Sequence, residues 1–103
     1  MSEERSSLSK LQQWYAGHCN GDWEHTHGIR IDTLDNPGWS IKIDLSDTRK
    51  QDCVLERKKI DRTENDWIQS WIEKKQFHVL CGPLNFSEAA EIFVRWFDSE
   101  FDY

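Results

Sequence analysis

The run Cys19-Asn20-Gly21-Asp22-Trp23-Glu24-His25 gathers a thiol, two carboxylates, an imidazole and an indole in one short segment. Leu34-Asp35-Asn36-Pro37-Gly38-Trp39 follows it closely. Residues of these types can do three kinds of work. As metal ligands, His18, Cys19, Asp22, Glu24, His25 and His27 have suitable donor atoms, but zinc sites draw ligands from two separated knuckles and only one cluster is present. As acid and base, Asp22, Glu24 and His25 could move protons in a small metal-dependent or acid–base hydrolase. No nucleophile elbow and no Gly-rich phosphate loop accompanies them. As a recognition surface, Trp23 flanked by Asp22 and Glu24 has the aromatic anchor and charged rim that protein interfaces use. A polar corner uses the same residues, with Trp23 buried and Asp22 or Glu24 accepting backbone hydrogen bonds.

The remaining thiols suggest less. A reactive cysteine needs cationic or helix-N-terminal support. Cys81, before Gly82-Pro83, follows the apolar Val79-Leu80 and reads as a buried strand end. Cys19, Cys53 and Cys81 are odd in number and widely spaced, which argues against a disulfide framework and a zinc ribbon.

The elements that must position the cluster follow from periodicity. Met1 to Ser6 reads as a frayed end, with Ser6 or Ser7 capping a first helix. Leu8, Leu11, Tyr15 and His18 recur at helical spacing beside Trp14, and Gly17 with Asn20-Gly21 ends the helix. Gly28–Leu34 and Trp39–Leu45 alternate as two strands with one apolar face each. Asp35-Asn36-Pro37-Gly38 supplies the turn between them. Ser46–Asp52 is a polar loop, and Cys53–Arg62 reads as a third strand. Residues 64–75 fit either a helix, with Trp67, Ile68, Trp71 and Ile72 as its stripe, or a strand with aromatics on one face and isoleucines on the other. The strand is preferred, because Trp and Ile favour strands. Phe77–Cys81 then returns as the last strand. Asn85-Phe86-Ser87-Glu88 has the form of a capping box for a final helix carrying Ala89, Ile92, Phe93, Trp96 and Phe97. The tail from Asp98 to Tyr103 reads as frayed. The fold class is α+β: an antiparallel sheet of about five strands flanked by an N-terminal and a C-terminal helix.

Bulk composition bounds the function. The chain has 103 residues, enough for one domain with a core over about 7–98. Apolar content is only 37%, but six Trp and five Phe compensate, since each aromatic buries roughly 150–250 Å². Trp39, Trp67 or Trp71, and Trp96 are patterned as core. The net charge of −6 argues against nucleic acid as a direct partner and favours a basic protein. The hydrophilic start predicts neither a secretory signal nor a membrane span, and so a cytoplasmic protein. No cofactor is expected.

Taken together, these residues resemble a known family. A Trp-bearing helix leads into Gly21-Asp22-Trp23-Glu24-His25, then Gly28, Ile31, Thr33-Leu34-Asp35-Asn36-Pro37-Gly38-Trp39 and Asp44-Leu45. Asp66-Trp67, Phe77, Gly82 and Phe93-x-x-Trp96 complete the pattern. The chain is similar to the immunity protein 53 family of bacterial polymorphic toxin systems, from about Leu11 to Phe97. It departs from the pattern at the late turn, where Lys74-Lys75 replaces an acidic residue and glycine. The resemblance implies a non-enzymatic protein that neutralises a cognate toxin domain in the producing cell, and it carries no assigned catalytic residue. Asp22, Trp23, Glu24, His25, Asp32, Asp35 and Asp44 are the expected partner contacts. Asp32 and Asp44, on the polar face of the first hairpin, could act together. For a nuclease toxin, the carboxylates would mimic phosphates in its basic cleft.

Overall fold

The computed structural model describes residues 6–99. Ser6 and Asp98, read from sequence as parts of frayed ends, belong to helix termini; the rest of those ends, residues 1–5 and 100–103, lies outside the described residues. Ser6 caps α1 (Ser7–His18), its Oγ accepting the Ser9 N–H at 3.0 Å. This satisfies a donor that the first helical turn leaves without a partner. Leu11 and Trp14 are the buried residues of α1, while Leu8 and Tyr15 are exposed. The helix runs through Gly17, read from sequence as part of its end, and closes when the Cys19 N–H meets the Ala16 carbonyl. A single helical turn, α2 (Trp23–Thr26), occupies the corner that follows.

Five strands come next: β1 (Ile29–Leu34), β2 (Gly38–Asp44), β3 (Leu55–Thr63), β4 (Asp66–Glu73) and β5 (Gln76–Cys81). All neighbours are antiparallel, in the order β1-β2-β5-β4-β3. Residues 64–75 therefore form strand β4 and its flanking turns, as preferred from the sequence. Alternation puts Ile41, Ile43, Ile68, Ile72, Phe77, Val79 and Cys81 on one buried face. The helices α1 and α3 (Phe86–Asp98) pack over that face, and among the described residues no element covers the other.

The loop between β2 and β3 is more than a polar connection. It packs against the C-terminal end of α3, and Thr48 and Lys50 within it are buried. The Lys50 Nζ donates to the Trp96 carbonyl at 2.6 Å, and Arg49 donates to the Phe97 carbonyl. Both cations thus meet carbonyls at the negative end of α3, where a helix leaves acceptors unpaired. At the other end, Asn85 departs from the expected capping box: its side chain makes no cap bond to the helix. Its Oδ1 accepts from the Trp67 N–H at 3.3 Å and its Nδ2 donates to Asp66 at 2.9 Å. The amide ties α3 to β4 instead, and Arg62 completes the tie by pairing with both Asp66 and Glu88.

Aromatic rings fill the space between helices and sheet. Trp14 meets Trp23, Phe93 and Phe97 edge-on at centroid distances of 5.8, 4.9 and 5.4 Å. Edge-to-face contacts match the positive ring edge to the negative ring face. The tryptophans divide otherwise than their patterning suggests. Trp96 is buried and Trp39 packs half-buried against the core, with its Nε1 donating to the Pro83 carbonyl. Trp67 and Trp71 are not core: Ile68 and Ile72 take the buried side of β4, so both indoles stand half-buried on the uncovered face.

Candidate functional site

The corner at residues 19–27 is held together by its own polar groups. Gly21 adopts φ +88°, a left-handed conformation that side-chain-bearing residues rarely take. This turns the backbone so that Asn20 Oδ1 accepts the N–H groups of both Asp22 and Trp23, at 3.0 and 2.9 Å. Glu24 reaches back: its two oxygens accept the Asn20 and Gly21 N–H groups at 3.0 and 2.8 Å. Hydrogen bonds to its own backbone N–H, and to those two, hold the Glu24 carboxyl below the usual carboxylate range. Trp23 is only 4% exposed. Its Nε1 donates to the Ser46 carbonyl at 2.9 Å, and its ring lies among Trp14, Tyr15, His18 and His27.

These contacts divide the labour among the four corner residues. Trp23 anchors the turn from beneath, and Glu24 clamps the backbone. Asp22 and His25 remain exposed on top. Beside them lies a polar cleft of about 280 Å³ lined by Gly17, His18, Asn20, Asp22, Trp23 and Asp47. Asp47 also approaches His27 Nε2 at 3.6 Å. Among the described residues, no three His, Cys, Asp or Glu side chains gather as a metal would require. A clamped, acid-shifted Glu24 is poorly suited to general acid–base work, which needs a carboxyl raised toward neutral pH.

The three hairpin carboxylates stand apart from the corner and from one another in role. Asp44 is half-buried and occupied: Oδ2 accepts the Gly28 N–H at 2.9 Å and Oδ1 accepts Gln76 Nε2 at 2.8 Å. It joins the start of β1 to β5. Asp32 and Asp35 are exposed, and among the described residues neither side chain has a partner. Asp32 pairs in register with Ser40. It shares a face with Asp44, but Asp44 lies four positions along β2 from Ser40, about 13 Å of strand. The two carboxylates do not form one group.

The uncovered face holds a constellation that the sequence reading missed. Register aligns Arg30, Lys42, His78 and Trp71 in one row across β1, β2, β5 and β4. The Trp71 and His78 rings stack at 5.0 Å with an 8° interplanar angle. Arg57, from β3, places its Cζ 3.9 Å from the Trp71 ring centroid. Burial, opposed by Glu73 and helped by the charges of Lys42 and Arg57, pushes the His78 imidazole below its ordinary range. A basic, aromatic stripe thus crosses the middle of an otherwise acidic protein. The signal for it was the alternation of Trp67 and Trp71 with Ile68 and Ile72: burying one pair exposes the other.

Elsewhere the structure offers less chemistry. Cys81 is buried, and loss of solvation pushes its thiol up to about 11. In a cleft of about 580 Å³ between α1 and α3, Lys10 and Arg95 are both paired to Glu91. Among the described residues, no helix is long and apolar enough to cross a membrane.

The family model for immunity protein 53 matches residues 8–98. The chain belongs to the immunity protein 53 family. No curated protein and no solved structure matches it. In this member of the family, the corner and the LDNPGW turn are built around fixed backbone geometry. Gly38 shows why: a Cβ there would lie 2.2 Å from the Cys81 carbonyl oxygen, so β2 passes β5 too closely for any side chain. The family's immunity role directs attention to the groups these devices leave facing outward.

Proposed function

We propose that this protein neutralises a cognate bacterial toxin domain by binding it stoichiometrically in the cytoplasm of the producing cell. Membership of the immunity protein 53 family over residues 8–98 carries the reading. The outward groups supply its chemistry. Asp22 and His25 on the corner, with Asp32 and Asp35 on the first hairpin, are the contacts. Trp23, Glu24 and Asp44 act beneath them, by fixing the backbone that presents them.

The net charge of −6 suits a basic partner. A nuclease fits this description, since its phosphate-binding cleft is cationic and exposed carboxylates can occupy it. A hydrolase built on Asp22, Glu24 and His25 draws no support from the geometry, because Glu24 is tied to the backbone.

Co-expression with the toxin domain encoded beside it tests the proposal. Cells should survive with the wild-type protein, and purified toxin should bind it one to one. Death of the co-expressing cells would remove the reading for that pair. Association should also slow steeply with added salt, from about 10⁸–10⁹ M⁻¹s⁻¹ for steered encounters at low ionic strength. A salt-independent rate would place the binding energy in apolar contacts and sink the electrostatic part.

A further inference from the structure

The two edges of the sheet are built differently. β3 is guarded: it carries Arg57, Lys58, Lys59 and Arg62, and its pairing with β4 shifts register twice. Charged side chains and bulges of this kind keep an edge from pairing with another strand. β1 has no register shift, and its two charges, Arg30 and Asp32, are of opposite sign. Its six residues, Ile29-Arg30-Ile31-Asp32-Thr33-Leu34, pair with β2 in unbroken register and contain no Lys and no Pro. Among the described residues, no strand covers its other side.

The backbone phase of β1 follows from one bond. The Gly28 carbonyl accepts the Asp44 N–H at 3.0 Å, and Gly28 stands opposite Asp44 in register. In an antiparallel pair, alternate residues direct both polar groups toward the partner strand. Arg30, Asp32 and Leu34 therefore bond to β2. Ile29, Ile31 and Thr33 point their N–H and C=O groups out of the sheet.

We propose that β1 pairs with β1 of a second copy of this chain, antiparallel and centred on Ile31. In that register Ile31 faces Ile31, and Ile29 faces Thr33, so all the outward backbone groups of these residues exchange hydrogen bonds. Arg30 faces Asp32 on both sides of the two-fold axis. These are non-hydrogen-bonded positions, where opposed side chains approach most closely. Registers centred on Arg30 or on Asp32 place like charges opposite each other and are disfavoured. The strand is thus self-complementary in hydrogen bonding and charge, as a two-fold interface requires.

The helix side agrees. Ile31 is 43% exposed, and so are Leu8 at 56% and Tyr15 at 38%. They border a groove of about 470 Å³ between α1 and β1 that Leu11 and Ile29 also line. The seam runs along this groove and covers these apolar side chains. Asp32 is shared with the toxin reading above; the seam itself does not depend on toxin binding and is tested without toxin.

Sedimentation velocity of the full chain, across micromolar concentrations, should give twice the 12.3 kDa chain mass. Arg30→Asp alone and Asp32→Arg alone each put like charges at both symmetric positions, and should weaken dimerisation about tenfold or more. The double exchange R30D/D32R restores the opposite-charge pairs and should restore the dimer. Circular dichroism confirms that each variant is folded. A wild-type protein that stays monomeric throughout overturns the proposal, as does a dimer unaffected by either single exchange. A monomer whose toxin affinity falls with Ile31→Lys overturns it too, and would assign the edge to a toxin strand.

Discussion

Glu24 and Asp22 lie two residues apart and do opposite jobs. Glu24 is spent on the Asn20 and Gly21 N–H groups, whereas Asp22 has its carboxylate in solvent. Glu24→Gln should therefore lower the thermal midpoint by several degrees, because a neutral amide accepts those bonds more weakly than a carboxylate. Asp22→Asn and His25→Ala should leave the midpoint nearly unchanged and slow toxin association instead. Thermal denaturation beside stopped-flow binding separates the two effects; a midpoint that falls with Asp22→Asn would show that the division is wrong. Gly38 makes a sharper case. Gly38→Ala forces a methyl into the Cys81 carbonyl, and should cost about 1–3 kcal/mol in denaturant unfolding, as overpacking does. The residue types at the corner were legible in the sequence. Their assignments were not, because Trp23 is anchored by Ser46, a residue in the distant loop.

At the scale of elements, the β4–β5 turn carries visible strain. Lys74 and Lys75 both take positive φ, +54° and +62°. Two successive left-handed residues define the tight hairpin turn that prefers Asn-Gly, and each non-glycine residue there costs about 1–2 kcal/mol. Replacing Lys74-Lys75 with Asn-Gly should raise stability by roughly 1–2 kcal/mol in chemical denaturation. Lys75 also pairs with Asp52, at 2.9 Å between exposed side chains, a contact of small worth that offsets little of the gain. An unchanged or lower midpoint would show that the turn relaxes without glycine. The pattern of Trp67, Ile68, Trp71 and Ile72 fits a helix or a strand, and only the strand propensity of Trp and Ile favoured the hairpin that the fold contains. Which side faced the helices was not readable, since both pairs are large and apolar, and only the position of α3 selects the isoleucines.

The whole molecule should lose stability in acid. Among the described residues, four carboxyls are held below their usual range. Glu24 is lowered chiefly by its own backbone N–H, Asp66 by the Asn85 amide and then Arg62, Glu88 by Arg62, and Glu91 by Arg95, Ser7 and Lys10. A depressed folded-state pKa means that the unfolded chain binds the proton first. The stabilisation is thus complete above the unfolded-state values. It declines as pH falls below about 5 and is lost as the folded-state groups protonate. Urea midpoints measured from pH 7 to pH 3 should trace that fall, and Glu91→Gln should make it shallower. Flat midpoints over this range would contradict the linkage. Glu91 and Glu88 both act between elements, one joining α3 to α1 and the other joining α3 to the β3–β4 hairpin. The acid response is therefore a property of the assembled layers.

The sequence by itself determined α1 and α3, the strands other than β4, the first turn and the family. Those depend on periodicity and on short-range backbone chemistry, in which every interacting residue is a near neighbour. Tertiary structure decided which groups are free to act. Asp44 is taken up by Gln76, Trp23 by Ser46, Asn85 by Trp67, and Lys50 by the end of α3. It also brought Arg57, Trp71, His78, Lys42 and Arg30 into one row and left β1 open at the edge. Each of these outcomes joins residues far apart in the chain, and only folding brings them within hydrogen-bonding or stacking distance.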